Sequence, residues 1–212
     1  MHTAKAEFYE KQGYQLVKAL KSRHAEAYYC GSREDALAKA LELIPEEATV
    51  SWGGTVSAVE IGLKQALLAG NYRATDRDAL TTREEKEQAA RAAFSADFFL
   101  MGANAMSMDG QMVTIDGMGN RAAALIYGPK RVIVLVGMNK VCPDLDSAVK
   151  RARNVAAPMN EQRFHGNTPC AATGVCADCK APDCICNQIV ITRGCRPEGR
   201  IIYLVVGDEL GF

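Results

Sequence analysis

The sequence predicts an α/β fold with an open, mostly parallel sheet, helices on both faces, a small antiparallel part and a C-terminal cysteine-rich loop. Three observations support this fold class. Short apolar segments alternate with helical segments through residues 1–102, a pattern typical of parallel sheets. The run 131–137, RVIVLVG, is continuously apolar, as expected for a strand that is covered on both faces. The second half of the chain contains a hairpin signal and then a cluster of cysteines.

The first half of the chain is predicted to alternate between helices and strands. Ser32 is placed to cap the second helix, Pro45 ends it, and Gly70 follows the third. The predicted helices cover 8–20, 32–44, 57–70 and 83–94, and the predicted strands cover 25–30, 49–52, 72–75 and 97–102. Right-handed crossovers between these strands place helices on both faces of the sheet.

The second half of the chain is predicted to change character. Asp109-Gly110 lies between two apolar segments and is a strong signal for a hairpin turn. After it come a strand at 131–137, a helix at 144–157 that stops before Pro158, and two strands at 188–193 and 200–207. The two last strands bracket a short polar connection, so we expect them to form an antiparallel pair.

The composition excludes several classes of function. The chain has 25 basic and 25 acidic residues and no net charge, which argues against a general nucleic-acid binder or an anionic-membrane binder. No apolar run approaches the roughly 18 residues of a membrane span, and residues 1–13 lack the apolar segment of a signal peptide. We therefore expect a cytoplasmic protein with a single domain over residues 1–212.

A glycine-rich turn at 52–57 is the first candidate site. Gly53, Gly54, Thr55 and Ser57 lie between a predicted strand and a predicted helix, where backbone N–H groups and hydroxyls could hold a phosphate or a carboxylate. The turn matches neither a P-loop nor a dinucleotide fingerprint. The alternative is a plain strand-to-helix turn in which Ser57 caps the helix.

A second candidate site lies in the polar segment between the strands at 97–102 and 131–137. Asp116, Gly119, Asn120 and Arg121 occupy one short loop that could contact a small polar ligand. The alternative is that Asp116 caps the next helix while Arg121 pairs with a surface carboxylate. Asn104 follows the end of a strand, where open α/β sheets bind ligands, although a lone asparagine is also a common turn residue.

The third candidate site is a thiol cluster within the predicted irregular segment 158–187. Of the eight cysteines in the chain, five lie between Cys170 and Cys186. Cys176 and Cys179 form a Cys-x2-Cys pair, which Cys170 and either Cys184 or Cys186 could complete to four thiolates around a metal. The spacing favours an iron–sulfur cluster over zinc, because a zinc ribbon more often has two such pairs. Redox disulfides or free thiols are the alternatives.

Three segments resemble one known family. GANAMSMDGQMVTIDGMGNRAAALIYGPKRVIVLVGMNK, RARNVAAPMN and TPCAATGVCADCKAPDCICN are similar to the LUD (lactate-utilisation) domain family, in its branch of short proteins with a C-terminal cysteine loop. The resemblance covers most of the chain. It implies a fold like those of the sugar-phosphate isomerases and CoA transferases, an open α/β sheet with a small antiparallel insertion.

The resemblance also implies which residues form the sites. It places the Gly53–Ser57 turn at a phosphate or CoA position. The residues expected to line the same cleft are Asn104, Asp109, Asp116, Gly119, Asn120 and Arg121. The cysteine pattern of the branch selects Cys170, Cys176, Cys179 and Cys186 as metal ligands and leaves Cys184 as an extra thiol.

The function that follows is a lactate-utilisation-type role in the oxidation of lactate or a similar small organic acid. We expect a small anionic metabolite in the cleft, with Arg121 as a bidentate carboxylate ligand, an iron–sulfur cluster in the cysteine loop, and iron–sulfur redox proteins as partners. One alternative is an enzyme acting on phosphates or CoA esters with a structural zinc. Another is a non-catalytic module whose zinc-held loop binds a redox partner. No acid–base pair or nucleophile motif stands out in the sequence.

Overall fold

The structure is a computed structural model that describes residues 3–212, so the first two residues of the predicted domain lie outside it. The strands are β1 (Glu26–Cys30), β2 (Thr49–Trp52), β3 (Arg73–Ala74), β4 (Phe98–Gly102), β5 (Ala105–Ser107), β6 (Met112–Asp116), β7 (Arg131–Gly137), β8 (Val141–Cys142), β9 (Gln188–Thr192) and β10 (Ile201–Val206). The helices are α1 (Thr3–Ser22), α2 (Arg33–Leu43), α3 (Val56–Glu60), α4 (Leu63–Ala69), α5 (Arg83–Ala92), α6 (Asn120–Ile126), α7 (Leu145–Arg151), α8 (Ala157–Glu161) and α9 (Pro169–Thr173).

The main sheet has six strands in the order β1-β10-β7-β4-β2-β3, and every pairing in it is parallel. The predicted open parallel sheet is therefore confirmed. The central position of β7 explains why its sequence is apolar at every residue. Val132, Val134 and Val136 face one core layer, while Ile133 and Leu135 face the other. α1 packs in the first layer, and α2 and α4 pack in the second. The sheet is thus covered on both faces.

The second sheet is small and mixed, with the order β8-β5-β6-β9. The predicted hairpin is confirmed, because β5 and β6 pair antiparallel around a turn in which Gly110 has φ of +87°. A positive φ of this kind favours glycine over residues with a side chain. This sheet begins where β4 ends, so it stands beside the carboxyl ends of the main parallel strands.

The predicted final antiparallel pair is wrong. β10 lies in the main sheet, parallel to both β1 and β7, while β9 pairs antiparallel with β6 in the small sheet. Burial explains the separation, since every residue of β10 is buried whereas β9 is largely exposed along one edge. A strand that is apolar at every position requires cover on both faces, which only the central position provides.

Two predicted helices also have different bounds. The predicted helix 57–70 is divided into α3 and α4 at Gly62, whose φ is +76°. The predicted helix 144–157 continues past Pro158, through a π-helical turn at Ala152–Ala156 and on to Glu161. Proline is tolerated there because it stands in the first turn of α8. Ser32 caps α2 as predicted, through a reciprocal capping box with Asp35.

No helix within residues 3–212 is long and apolar enough to cross a membrane.

Candidate functional site

A cleft of about 960 Å³ opens at the carboxyl ends of the central parallel strands. Its floor comes from the segments that follow β2, β4 and β7, where open α/β sheets characteristically bind ligands. The β6–α6 loop forms one wall, and residues 160–166 with part of the cysteine loop form another. The fold therefore brings the first two predicted sites together.

The glycine-rich turn lies in this cleft, but its details differ from the prediction. Gly54, Thr55 and Ser57 line the cleft, whereas Gly53 packs under Arg121. A Cβ atom on Gly53 would lie 2.9 Å from the Cγ and Cδ atoms of Arg121, so a side chain here would displace the arginine. Thr55, rather than Ser57, caps α3 by accepting a hydrogen bond from the backbone N–H of Ala58 at 3.3 Å.

The helix after this turn is too short to create a strong anion site. α3 has five residues, so few peptide dipoles add along its axis. The positive charge of the cleft comes instead from side chains that other elements supply.

Arg121 is a largely buried cation in the wall of the cleft. Its Nη2 atom donates to Asn104 Oδ1 at 3.0 Å and to the carbonyl of Ile115, and its Nη1 atom donates to the carbonyl of Gly102 at 3.4 Å. These bonds occupy both hydrogens of Nη2, which contradicts the expected bidentate hold on a carboxylate ligand. Arg121 instead contributes charge and fixes Asn104, whose Oδ1 also accepts from the backbone N–H of Ile115 at 3.0 Å.

The remaining loop residues divide between the two predicted roles. The Asp116 carboxylate accepts from the backbone N–H groups of Gly119 at 3.2 Å and Ala122 at 2.9 Å, so it caps α6. Gly119 has φ of +82° at the start of this helix and does not line the cleft. Asp116 and Asn120 do line it, with Asn104 and Arg121. Within residues 3–212, no salt bridge joins Arg121 to a surface carboxylate; it pairs instead with Asp116, at 3.9 Å, which is itself buried.

Asp109 is not part of the cleft. It lies at the turn of the β5–β6 hairpin, whereas the cleft contacts the opposite end of that hairpin. Its carboxylate accepts from Gln111 Nε2 at 2.9 Å and pairs with Arg23 at 2.6 Å. The expectation that Asp109 lines the cleft with Asp116 is therefore wrong, because the length of the hairpin separates its two ends.

Lys140 is a site residue that the sequence did not reveal. It follows β7, is 3% exposed, and its Nζ atom donates to Ser57 Oγ at 3.1 Å in the cleft floor. Burial, with the positive charges of Arg151 and Arg121, lowers the pKa of Lys140 to about 7. A lone lysine after an apolar strand is ordinarily a surface residue, and nothing in its local sequence indicates burial.

Further cations stand around the cleft. Arg77, Lys86 and Arg163 line it, and within residues 3–212 none of these three, nor Lys140, forms an ion pair. Three acidic side chains in the lining have partners of their own: Asp78 pairs with Lys64 at 2.5 Å, Asp116 accepts backbone hydrogen bonds, and Asp183 accepts from the backbone N–H of Asn167 at 3.1 Å. Glu161 keeps one carboxylate oxygen without a partner within residues 3–212. The cleft therefore offers unpaired positive charge to an anion.

The cysteine loop encloses a second cavity, of about 90 Å³. Five thiols line it, those of Cys170, Cys176, Cys179, Cys184 and Cys186. The other three cysteines are buried elsewhere, and His165 is exposed and outside the lining. The four predicted metal ligands are thus brought together with Cys184, the extra thiol.

Burial favours the protonated form of two thiols in this cavity, those of Cys184 and Cys186. Burial, with the charge of nearby Cys184, raises the pKa of Cys186 to about 12, and burial likewise raises the pKa of Cys184. Within the described residues 3–212, no three His, Cys, Asp or Glu side chains stand in a ready-made metal-binding arrangement. The five sulfur atoms share a cavity wall rather than a finished coordination geometry.

The two cavities share a wall. Glu161 and Ile185 line both of them. Glu161 is fully buried, and its Oε1 atom accepts from Thr168 Oγ1 at 3.2 Å, which in turn lies 3.4 Å from Cys170 Sγ. The other carboxylate oxygen of Glu161 has no hydrogen-bond partner within residues 3–212. One carboxylate therefore stands between the cleft and the thiols.

The cysteine loop is attached to the cleft wall at Gly117. A Cβ atom on Gly117 would lie 3.2 Å from the Cα atom of Ile185, so a glycine permits this close approach. Asn187 Nδ2 also donates to the carbonyl of Gly117 at 3.1 Å. The loop at 116–119, part of the second candidate site, thus contacts the cleft on one side and the cysteine loop on the other.

Comparisons with known proteins identify a family and a solved structure of similar fold. The model of the LUD domain family matches residues 13–206. The crystal structure of a DUF162 family protein from Deinococcus radiodurans is similar, with 11% sequence identity, a TM-score of 0.54, and coverage of 93% of this chain and 97% of that chain. Ribose 5-phosphate isomerase A from Methanocaldococcus jannaschii aligns over 53% of this chain and 55% of its own, with 16% identity and a TM-score of 0.35. No curated protein matches the chain.

Proposed function

Because this chain belongs to the LUD domain family, we propose that it takes part in the oxidation of lactate or a similar small organic acid. In this proposal the cleft binds the acid, and the cysteine loop holds a metal centre beside it. The observation that carries the proposal is the shared wall, since Glu161 and Ile185 line both cavities. A bound acid and a thiolate-held centre would be separated by one layer of side chains.

The cleft suits a small anion because of its unpaired cations. Arg77 and Arg163 line it, and neither has a carboxylate partner within residues 3–212. Arg121 adds charge and holds Asn104 at the strand end. Charge-assisted hydrogen bonds from these cations would offset the free-energy cost of moving a carboxylate from water into the cleft.

The thiol cavity suits a soft or borderline metal because of its donor set. Thiolates are the usual ligands of iron–sulfur clusters and of structural zinc. Cys170, Cys176, Cys179 and Cys186 would hold the group. When bound, an iron–sulfur cluster would supply an electron acceptor next to the acid, and iron–sulfur partner proteins would be its redox partners.

Metal and sulfide analysis of anaerobically prepared protein tests the proposal. We expect a brown protein that contains iron and acid-labile sulfide. Cys179→Ser should lose both, whereas Cys184→Ser and Cys30→Ala should retain them, since Cys184 lies outside the selected set and Cys30 is buried in the main core. One zinc per chain without sulfide would contradict the iron–sulfur proposal and favour a structural metal.

Ligand-dependent melting tests the other half of the proposal. Lactate and pyruvate should raise the melting temperature, because a ligand that binds only the folded state stabilises it by about 2.7 kcal/mol at one hundred times its Kd. Arg163→Ser should reduce this shift, while Lys150→Arg, on the exposed side of α7, should leave it unchanged. A shift with CoA or a sugar phosphate alone would favour the phosphate or CoA-ester alternative.

A further inference from the structure

Lys140 is a buried amine that anion binding alone does not account for. Its Nζ atom lies in the cleft floor, 3.1 Å from Ser57 Oγ, and the residue is 3% exposed. The backbone packs closely around it, since Cβ atoms on Gly211 and Gly102 would lie 3.3 Å and 3.6 Å from Nζ. The amine is therefore held in one place at the floor of a cleft that is large enough for a metabolite.

The charges that face Lys140 favour its neutral form. Arg121 comes from α6, Arg151 comes from the end of α7, and both lower the pKa of the amine, while Glu60 of α3 raises it by a smaller effect. Arg151 is fixed by donating to the carbonyls of Asn104 at 2.7 Å and Asn139 at 2.9 Å, so its charge does not move away. A desolvated lysine beside other cations is the usual form of a nucleophilic amine.

We propose that Lys140 forms an imine with the carbonyl carbon of a small 2-oxo acid bound in the cleft. This inference rests on the proposed function, because oxidation of a 2-hydroxy acid yields a 2-oxo acid. Nζ attacks the carbonyl carbon, a C–N bond forms, and the carbonyl oxygen leaves as water with both amine hydrogens. No electrons are gained or lost. The Ser57 hydroxyl stands next to the nitrogen, where it passes a proton from nitrogen to the departing oxygen.

Trapping with a reductant tests this inference. The full chain is incubated near pH 7 with pyruvate and cyanoborohydride, which reduces an imine to a stable secondary amine, and the adduct is mapped by mass spectrometry. We expect label on Lys140 at least tenfold faster than on exposed Lys150. Lys140→Arg should lose the label, because a guanidinium does not form an imine, and Ser57→Ala should slow labelling. Lys150→Arg is the matched control.

Calorimetry with lactate separates failure of this inference from failure of the proposed function. Lactate carries the same carboxylate but has no carbonyl to attack. Lactate binding without a trapped adduct on Lys140 would overturn the imine and leave the proposed function standing. Binding of neither acid, with no adduct, would overturn both. Label spread evenly over the surface lysines would also overturn the inference, because the cleft would then give Lys140 no advantage.

Discussion

The cleft and the thiol cavity adjoin each other but are built in different ways. The cleft floor follows strands of the main sheet, and its polar groups are fixed by hydrogen bonds such as those of Arg121 to three oxygen atoms. The thiol cavity is formed by residues 153–189, in which regular structure between α8 and β9 is limited to the five residues of α9. Asp178, in this loop, has a positive φ of 49°.

The fold itself therefore fixes the geometry of the cleft, whereas a bound group would have to fix the geometry of the thiol cavity. The cleft geometry is part of the sheet, so it should persist without any ligand. The cysteine loop has few backbone hydrogen bonds of its own, and segments of this kind open locally at low free-energy cost. We therefore expect the cleft to be lost only on global unfolding, and the loop to be stabilised by the proposed metal. Three predictions test this contrast, in order of decreasing effect.

The largest effect is expected for Arg121→Met. The substitution leaves the carbonyls of Ile115 and Gly102 without their charged donor, and it removes the cation that fixes Asn104. We expect a loss of about 2–4 kcal/mol in the free energy of unfolding, measured by urea denaturation. Arg163→Met, at the exposed rim, should change stability by no more than about 0.5 kcal/mol. Equal effects of the two substitutions would contradict a preorganised cleft.

An intermediate, pH-dependent effect is expected for Lys140→Met. The pKa of Lys140 is about 7 in the folded protein and 10.5 as a free side chain. Between these values the unfolded chain binds the proton more tightly, so stability of the wild type rises with pH across this window. Relative to Lys140→Met, the wild type should gain on the order of 2 kcal/mol from pH 7 to pH 9. A difference that does not vary with pH would contradict the lowered pKa.

The smallest effect is expected for removal of the proposed metal, and it should be local. Limited proteolysis of metal-depleted protein should cut within residues 174–183 about tenfold faster than the metal-loaded protein, which corresponds to about 1.4 kcal/mol of local opening. Cys179→Ser should match the depleted protein, and Cys30→Ala should match the loaded one. Cleavage that spreads into β7 or β10 would show that the two regions are not independent.

The fold could be predicted from the sequence wherever a local pattern determines the structure. The alternation of strands and helices, the N-cap at Ser32 and the Asp109-Gly110 turn were all local signals, and the structure confirms them. The position of β10 was not local. Its short connection to β9 indicated a hairpin. Because every residue of β10 is apolar and buried, the strand lies instead inside the main sheet, where both of its faces are covered. The length and continuity of its apolar run predict the position of β10 better than its short connection to β9 does.

The site was predictable only in part, for the same reason. Gly54, Thr55, Ser57, Asn104, Asp116, Asn120 and Arg121 were identified from turns and strand ends, and these residues line the cleft. Lys140 and Glu161 were missed, because their neighbours in sequence are those of ordinary surface residues and only packing between distant segments buries them. Asp109 was included by resemblance, although the hairpin holds it at the far end of the small sheet.

The position of Glu161 in both walls has a thermodynamic consequence. A ligand that reorients this carboxylate from one side changes the free energy of binding on the other, and such coupling is reciprocal. If the proposed metal centre tightened the binding of the proposed acid tenfold, then the acid would tighten the binding of the metal tenfold. The cell's supply of the organic acid would then help to determine what fraction of the protein binds the metal.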